Sequence, residues 1–340
     1  MKAINLDIIT MPKIELHVHI EGAVSPKIYY SLAEKNKIKL PYDSLEKWKD
    51  FFEFKDFSHF INVYGTAVSC IKTVEDISLI IEDFYYHQSK QNIIYSEAFI
   101  SASFLIENFK IEEIIEAVHH AMIEGERKYN VKVNIIPDIA RHLPESQKKV
   151  LALVKAGLES GTFIGLGLGG MEIGYPPHLF KDTFKKAKNI GLRLVAHAGE
   201  AVGAESIKNA IHELGVERIG HGIRCVDDEL LMTFLKEKQI PLEISPTSNY
   251  HLGVINKKEK HPIRKMFDKG LLCTVNTDDP VMFSTTLSKE YDLLANQGFT
   301  IEELYELNTN AITSSFLDTQ EKSDLYKILN EHKITYNIRS

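Results

Sequence analysis

Cysteine is scarce in this 340-residue chain: Cys70, Cys225 and Cys273 lie far apart and nowhere form a C-x-x-C pair. An odd, scattered set excludes a disulfide scaffold and a cysteine-rich zinc site, and it fits a reducing cytoplasm. Clustered basic charge is also missing. The 40 Lys and Arg are outnumbered by 47 Asp and Glu, for a formal net charge of -7. Duplex nucleic acid and anionic membrane surfaces both require a basic run, so neither is expected as a partner. No apolar stretch approaches a membrane span, and residues 1–13 lack the apolar run of a signal peptide. Internal repeats, low-complexity tracts and linkers are absent too, which makes one domain over residues 1–340 the simplest expected division. With 44% hydrophobic and 26% charged residues, the chain reads as a soluble cytoplasmic protein with a substantial core.

What the chain does contain is a histidine pair one residue apart. His17-Val18-His19 ends a short apolar run and is followed at once by Glu21-Gly22. Side chains on a strand repeat every second residue, so both imidazoles fall on one face. An isolated His-x-His is weak evidence, because surface histidines are common. Its weight comes from His197-Ala-Gly-Glu200, His221-Gly222 and the doublet Asp278-Asp279-Pro280 downstream. Three histidines and a carboxylate are a familiar ligand set for catalytic zinc, with one position left for water. The expectation is an enzyme, a mononuclear hydrolase with one Zn2+ per chain.

Short runs rich in Ile, Val and Leu predict strands near 13–19, 92–99, 132–139, 163–169, 193–198, 218–223, 241–245 and 272–277. Stretches of helical periodicity lie between most of them. Eight alternating units predict a (β/α)8 barrel rather than an open sheet. The unusual residues then share one mouth: His17 and His19 end the first strand, His197 the fifth, His221 the sixth and Asp278 the eighth. Residues 22–91, between the first two strands, exceed what closure needs and predict extra helices over the barrel mouth. Phe51, Phe52, Phe54, Phe57 and Phe60 recur there at helical spacings. Any one of them is most simply a core residue, but together they could roof an apolar pocket for a flat ring, with segment 51–64 closing over the substrate.

Zinc on such ligands brings the pKa of a bound water from 15.7 to about 7, which is on the order of 12 kcal/mol towards hydroxide at neutral pH. A proton donor must complement it. Glu200, three residues beyond His197, could protonate a ring nitrogen and so make the adjacent carbon electrophilic. His221 could accept a proton from the zinc water or stabilise its oxyanion. Asp278 and Asp279 repel each other unless a cation or a proton separates them, which one carboxylate on metal and one on substrate would resolve.

Together these motifs resemble the adenosine deaminase family of zinc-dependent aminohydrolases, and the resemblance covers nearly the whole chain. It runs from Pro12-Lys-Ile-Glu-Leu-His17-Val-His19-Ile-Glu21-Gly22-Ala23 through Val195-Ala-His197-Ala-Gly-Glu200, Arg218-Ile-Gly-His221-Gly222 and Ser245-Pro-Thr-Ser-Asn249. It continues through Asn276-Thr-Asp278-Asp279-Pro280 and Leu307-Asn-Thr-Asn-Ala311 to Ser314-Ser315-Phe316-Leu317. The resemblance implies a (β/α)8 barrel and zinc ligands His17, His19, His197 and Asp278. It also implies Glu200 as proton donor to purine N1, His221 as partner of the attacking hydroxide, Asp279 as its orienter and the N7 contact, and Gly170 as a backbone contact to N3. Substrate contacts would include His19, Glu21, Phe57 and Phe60.

Two departures bear on the substrate. Glu21 stands where adenosine enzymes often carry an Asp that meets the ribose 5′-hydroxyl, and adenine-specific relatives carry Glu there. The segment Gly165–Pro177 looks more like relatives acting on adenine or aminodeoxyfutalosine, yet it keeps Gly169-Gly170 where adenine deaminases tend to have a Ser pair. The implied reaction is hydrolytic removal of the 6-amino group of a purine nucleoside, adenosine first. The alternatives are aminodeoxyfutalosine, on the route to menaquinone, and adenine. An inactive nucleoside-binding relative is the non-enzyme alternative. A cytidine-type deaminase is excluded, since it needs a P-C-x-x-C motif.

Overall fold

The computed structural model describes residues 6–336 and 338, apart from 43, 51, 53, 55 and 56. Phe51, among the aromatics expected over the pocket, lies outside the described residues. Eight parallel strands run among them in chain order: β1 (Lys13–His19), β2 (Ile93–Ile100), β3 (Lys132–Ala140), β4 (Gly165–Gly169), β5 (Arg193–Ala198), β6 (Arg218–His221), β7 (Leu242–Ile244) and β8 (Cys273–Val275). Each pairs with the next. The predicted strand positions agree to within a few residues, because nearly every strand residue is buried on both faces, the pattern of a parallel sheet covered by helices.

The residues just past β8 close the barrel. The Asp278 N–H donates to His17 O at 3.1 Å and the His19 N–H to Asp278 O at 2.8 Å, a parallel bridge centred on Val18. Asn276 supports that seam, its Oδ1 accepting from the N–H groups of Leu16 and His17 at 2.9 and 3.0 Å. Thr277 is tied by its N–H and hydroxyl to Glu15 at 2.9 and 2.6 Å. The ladder that shuts the barrel therefore also sets Asp278 beside the two histidines of β1.

Most apolar side chains form one cluster between strands and helices. A second, small one joins Phe99, Ile136 and Val195, with Ile164 and Phe316 packed against it. It bridges β2 and β3 to β5, which adjoins neither of them in the ring, so it fills the barrel interior. Between β1 and β2 lie the helices Pro26–Lys35, Leu45–Asp50, Phe57–Val68 and Val74–Lys90. The third of these carries Phe57, Phe60, Ile61 and Tyr64 onto the wall of the cavity at the mouth, as the surplus length predicted. Among the described residues no helix is long and apolar enough to cross a membrane.

Candidate active site

The mouth holds a cavity whose wall includes His19, His197, His221, Glu200, Asp278, Asp279 and Gly170, with Phe57 and Phe60 above. His17 lies at its base and is entirely buried. The ligand atoms of His17, His197, His221 and Asp278 all lie within 4.8 Å of one another, and those of His19, Asp278 and Asp279 form a second such group. Residues separated by up to 262 positions thus converge as the barrel reading required. Gly220 makes the convergence possible, since a Cβ there would stand 2.8 Å from His17 Cε1.

Outer partners fix which nitrogen each imidazole offers. Glu243 Oε2 takes the N–H at His17 Nδ1 at 2.8 Å, and Leu168 O takes that at His197 Nδ1 at 3.0 Å. Both rings therefore turn lone pairs inward. Among the described residues His17 Nε2 has no hydrogen-bond partner, and it lies 3.5 Å from Asp278 Oδ1. His197 Nε2 faces His19 Nε2 at 3.2 Å. A buried, orphaned nitrogen and two facing imidazole nitrogens beside a carboxylate fit a bound cation, and acceptors behind ligating histidines are what metal sites use to orient them. Glu243 is held in turn by Arg218 Nε at 2.6 Å, and Arg218 Nη1 reaches Glu97 at 2.5 Å beneath it.

The carboxylates are driven apart in pKa. Burial opposes ionisation of Asp278, but the adjacent His17 and the other surrounding imidazoles outweigh it and hold the group well below the usual range. Burial, with the adjacent Asp278 charge, pushes Asp279 well above it. Burial first, then Asp278 and Glu172, does the same to Glu200. Glu200 Oε1 and Asp279 Oδ1 both lack hydrogen-bond partners among the described residues. Two carboxyls shifted towards the neutral form thus face the cavity next to one shifted towards the ionised form, the kind of separation that marks acid and base roles. His221 and Asp278 have φ of 60° and 65°, left-handed for non-glycine residues, at a cost of roughly 1–3 kcal/mol each that clusters at functional sites.

Glu21 is placed differently from its sequence expectation. It is 0% exposed and absent from the cavity wall, with Oε1 held by the Ser101 N–H at 2.9 Å and Oε2 by the Tyr64 hydroxyl at 3.2 Å. Tyr64 and Ser101 themselves line the cavity, one layer nearer the ligand.

Sequence reasoning missed several residues. Asp138, at the end of β3, lines the cavity with no hydrogen bond to its carboxyl from the described residues, and burial raises its pKa well above the usual range. Its only signal was a carboxylate in an apolar strand, a signal Glu97 and Glu243 share. Glu172 sits under the Glu200 loop and accepts from the N–H groups of Gly199, Glu200, Ala201 and Val202 at 2.7–3.2 Å and from the Ser206 hydroxyl at 2.5 Å. Nothing local marked it.

The adenosine deaminase family model matches residues 12–332. The chain is 35% identical over 320 residues to the adenine deaminase of Wolinella succinogenes, spanning 93% of this chain and 96% of that one. It is 35% identical over 316 residues to that of Chlorobium phaeobacteroides, spanning 92% and 93%. The crystal structure of adenine deaminase from Arthrobacter aurescens matches with a TM-score of 0.90 at 31% identity, over 94% of this chain and 98% of that one.

Proposed function

Because the chain belongs to the adenosine deaminase family, we propose that its substrate is adenine, hydrolysed to hypoxanthine and ammonia. Hydrolytic deamination of a purine at an amidine C–N bond is the reaction class of the chain and its relatives. The observation that carries the proposal is the pairing of a buried His/Asp cluster with Glu200, whose Oε1 has no hydrogen-bond partner among the described residues and whose pKa burial raises, on one cavity wall.

His17, His19, His197 and Asp278 would hold one zinc ion. When bound, zinc is a Lewis acid that makes water a nucleophile at neutral pH. Glu200 gives its proton to ring N1 as water adds to C6; of the two protons of that water one returns to Glu200 and the other reaches N6, whose bond to C6 then breaks so that it leaves as ammonia. Asp279 would meet N7, and Gly170 presents its backbone to N3. His221, with Nε2 3.7 Å from Glu200 and 3.8 Å from Asp278, meets the attacking water. Phe57, Phe60 and Tyr64 cover the ring and exclude water, which strengthens each of these interactions.

Adenine replaces adenosine, the first expectation, on three supports. The curated relatives matched along nearly their whole length are adenine deaminases. Glu21 is sealed behind Tyr64 and Ser101, where it does not reach a ribose hydroxyl. Asp138 waits unpaired on the wall, and a free base has a ring N–H to donate where a nucleoside carries its sugar. The sparse bulk of Gly169-Gly170 favours adenosine as the second reading, with aminodeoxyfutalosine behind it. Incubating zinc-loaded protein with adenine should release hypoxanthine and ammonia in equal amounts and stop on chelation. Zinc-loaded protein that leaves adenine and both nucleosides unchanged overturns the proposal.

A further inference from the structure

Behind His221 a chain of buried polar groups fixes the position of its proton. The chain begins at a donor that cannot turn round: the backbone N–H of Ile263 points at His261 Nδ1 at 3.2 Å. His261 must therefore accept at Nδ1 and carry its hydrogen on Nε2. That Nε2 lies 3.0 Å from Asn249 Oδ1, so the amide oxygen is the acceptor and the orientation of the amide follows. The other end of the amide, Nδ2, stands 3.3 Å from His221 Nδ1 and donates to it. All three side chains are 0–1% exposed, so no bulk water competes for these groups.

We infer that Ile263, His261 and Asn249 lock His221 into the tautomer that bears its hydrogen on Nε2, making it a hydrogen-bond donor to the attacking water rather than the base that deprotonates it. The surroundings of Nε2 are compatible with this, since it lies near two carboxyl oxygens, Glu200 Oε2 at 3.7 Å and Asp278 Oδ2 at 3.8 Å. The same lock separates His221 from the metal ligands. By distance alone it belongs with His17, His197 and Asp278. Yet His17 and His197 have acceptors behind them and offer lone pairs, whereas His221 has a donor behind it and offers N–H. Asn249 and His261 are accordingly positioning residues, acting through His221 without touching substrate.

The inference rests on the proposed deaminase site, but its primary readout requires no substrate. Neutron diffraction from deuterium-exchanged crystals of the zinc-loaded protein should show deuterium on His221 Nε2 and none on Nδ1. Deuterium on Nδ1 overturns the lock whatever the enzyme's substrate proves to be. The functional counterpart is Asn249→Asp, which is nearly isosteric, still accepts from His261, and sets an acceptor against His221 Nδ1. The hydrogen should move to Nδ1, with bound zinc unchanged and kcat down on the order of 10- to 100-fold at little change in KM. His261→Gln, which can still donate to Asn249, should retain more turnover than His261→Leu. Wild-type kcat in Asn249→Asp, with the hydrogen still on Nε2 alone, would also overturn the assignment.

Discussion

Replacing Gly22 by alanine should cripple turnover by moving one carboxylate. Gly22 lies in the short turn Glu21–Ala23 that follows β1, and its φ is not positive, so its backbone accepts a side chain. The obstacle is Asp279: an added Cβ would stand 1.7 Å from Oδ1, 2.4 Å from Cγ and 2.5 Å from Cβ. Ordinary contact begins at 3.4 Å, so the carboxylate oxygen must retreat by about 1.7 Å. Because Asp279 Cβ itself is overlapped, side-chain rotation cannot relieve the clash and the chain must shift. The Gly22 carbonyl accepts from the N–H of Val281 at 3.0 Å, tying the two segments together so that neither moves alone. A misplacement of about 1 Å at reacting groups costs roughly 10²-fold, or about 2.7 kcal/mol in the barrel's catalytic step. Overpacking should add about 1–3 kcal/mol of lost stability. The assay is kcat per bound zinc, with denaturant unfolding alongside. Gly65→Ala is the control: nothing lies within 4 Å of its Cβ in the helix Phe57–Val68, so about 1 kcal/mol of stabilisation and unchanged kcat are expected. A folded Gly22→Ala protein with wild-type kcat would refute the placement of Asp279 in the reaction.

Glu200→Gln should keep zinc and adenine binding while kcat falls on the order of 10²–10⁴, the usual worth of a positioned acid; loss of metal with full activity per remaining zinc would reassign it. Glu172→Ala leaves four backbone N–H groups and a hydroxyl without their acceptor, so unfolding in urea should show a loss on the order of 3 kcal/mol, with kcat lowered because the Glu200 loop is unmoored; unchanged stability would contradict the role given to that carboxylate. Glu290 is buried, its carboxylate accepting from the Thr247 N–H and the Thr285 hydroxyl, and burial raises its pKa from 4.5 to about 7. Between those values the folded protein holds a proton that the unfolded chain has lost, so stability should fall as pH rises through the window, by on the order of 3 kcal/mol in full above pH 7. Glu290→Gln should flatten that slope in denaturation measured from pH 4.5 to 8, and an unchanged slope would show that another group sets it.

The barrel and the histidine–aspartate cluster at its mouth were legible because both depend on local patterns. Apolar runs gave the strands, and a histidine pair, a His-Ala-Gly-Glu turn and an Asp doublet at strand ends gave the site. The support behind them was not legible. Glu243, Arg218 and Glu97 belong to three strands, and only barrel closure makes one network of them. The burial of Glu21 depends on Tyr64, 43 residues away, and on the backbone of Ser101, 80 residues away, so no local feature distinguishes a sugar contact from a buried structural acid. The proton on His221 likewise depends on a backbone amide at residue 263 acting through two side chains. Substrate preference shares this dependence: the slight bulk of Gly169-Gly170 favoured adenosine, while the distant partners of Glu21 and the unpaired Asp138 bear on the choice and are visible only in the folded chain.

The central claim is tested most directly by kcat/KM for adenine, adenosine and aminodeoxyfutalosine, measured side by side on the same zinc-loaded protein. A buried carboxyl lacking its ring N–H partner should penalise the nucleosides strongly, since sites built for a hydrogen bond reject analogues without it by up to roughly 10⁴–10⁵. Adenine should exceed both nucleosides by at least about two orders of magnitude, and Asp138→Ala should erase most of the difference. A nucleoside value above that of adenine contradicts the assignment.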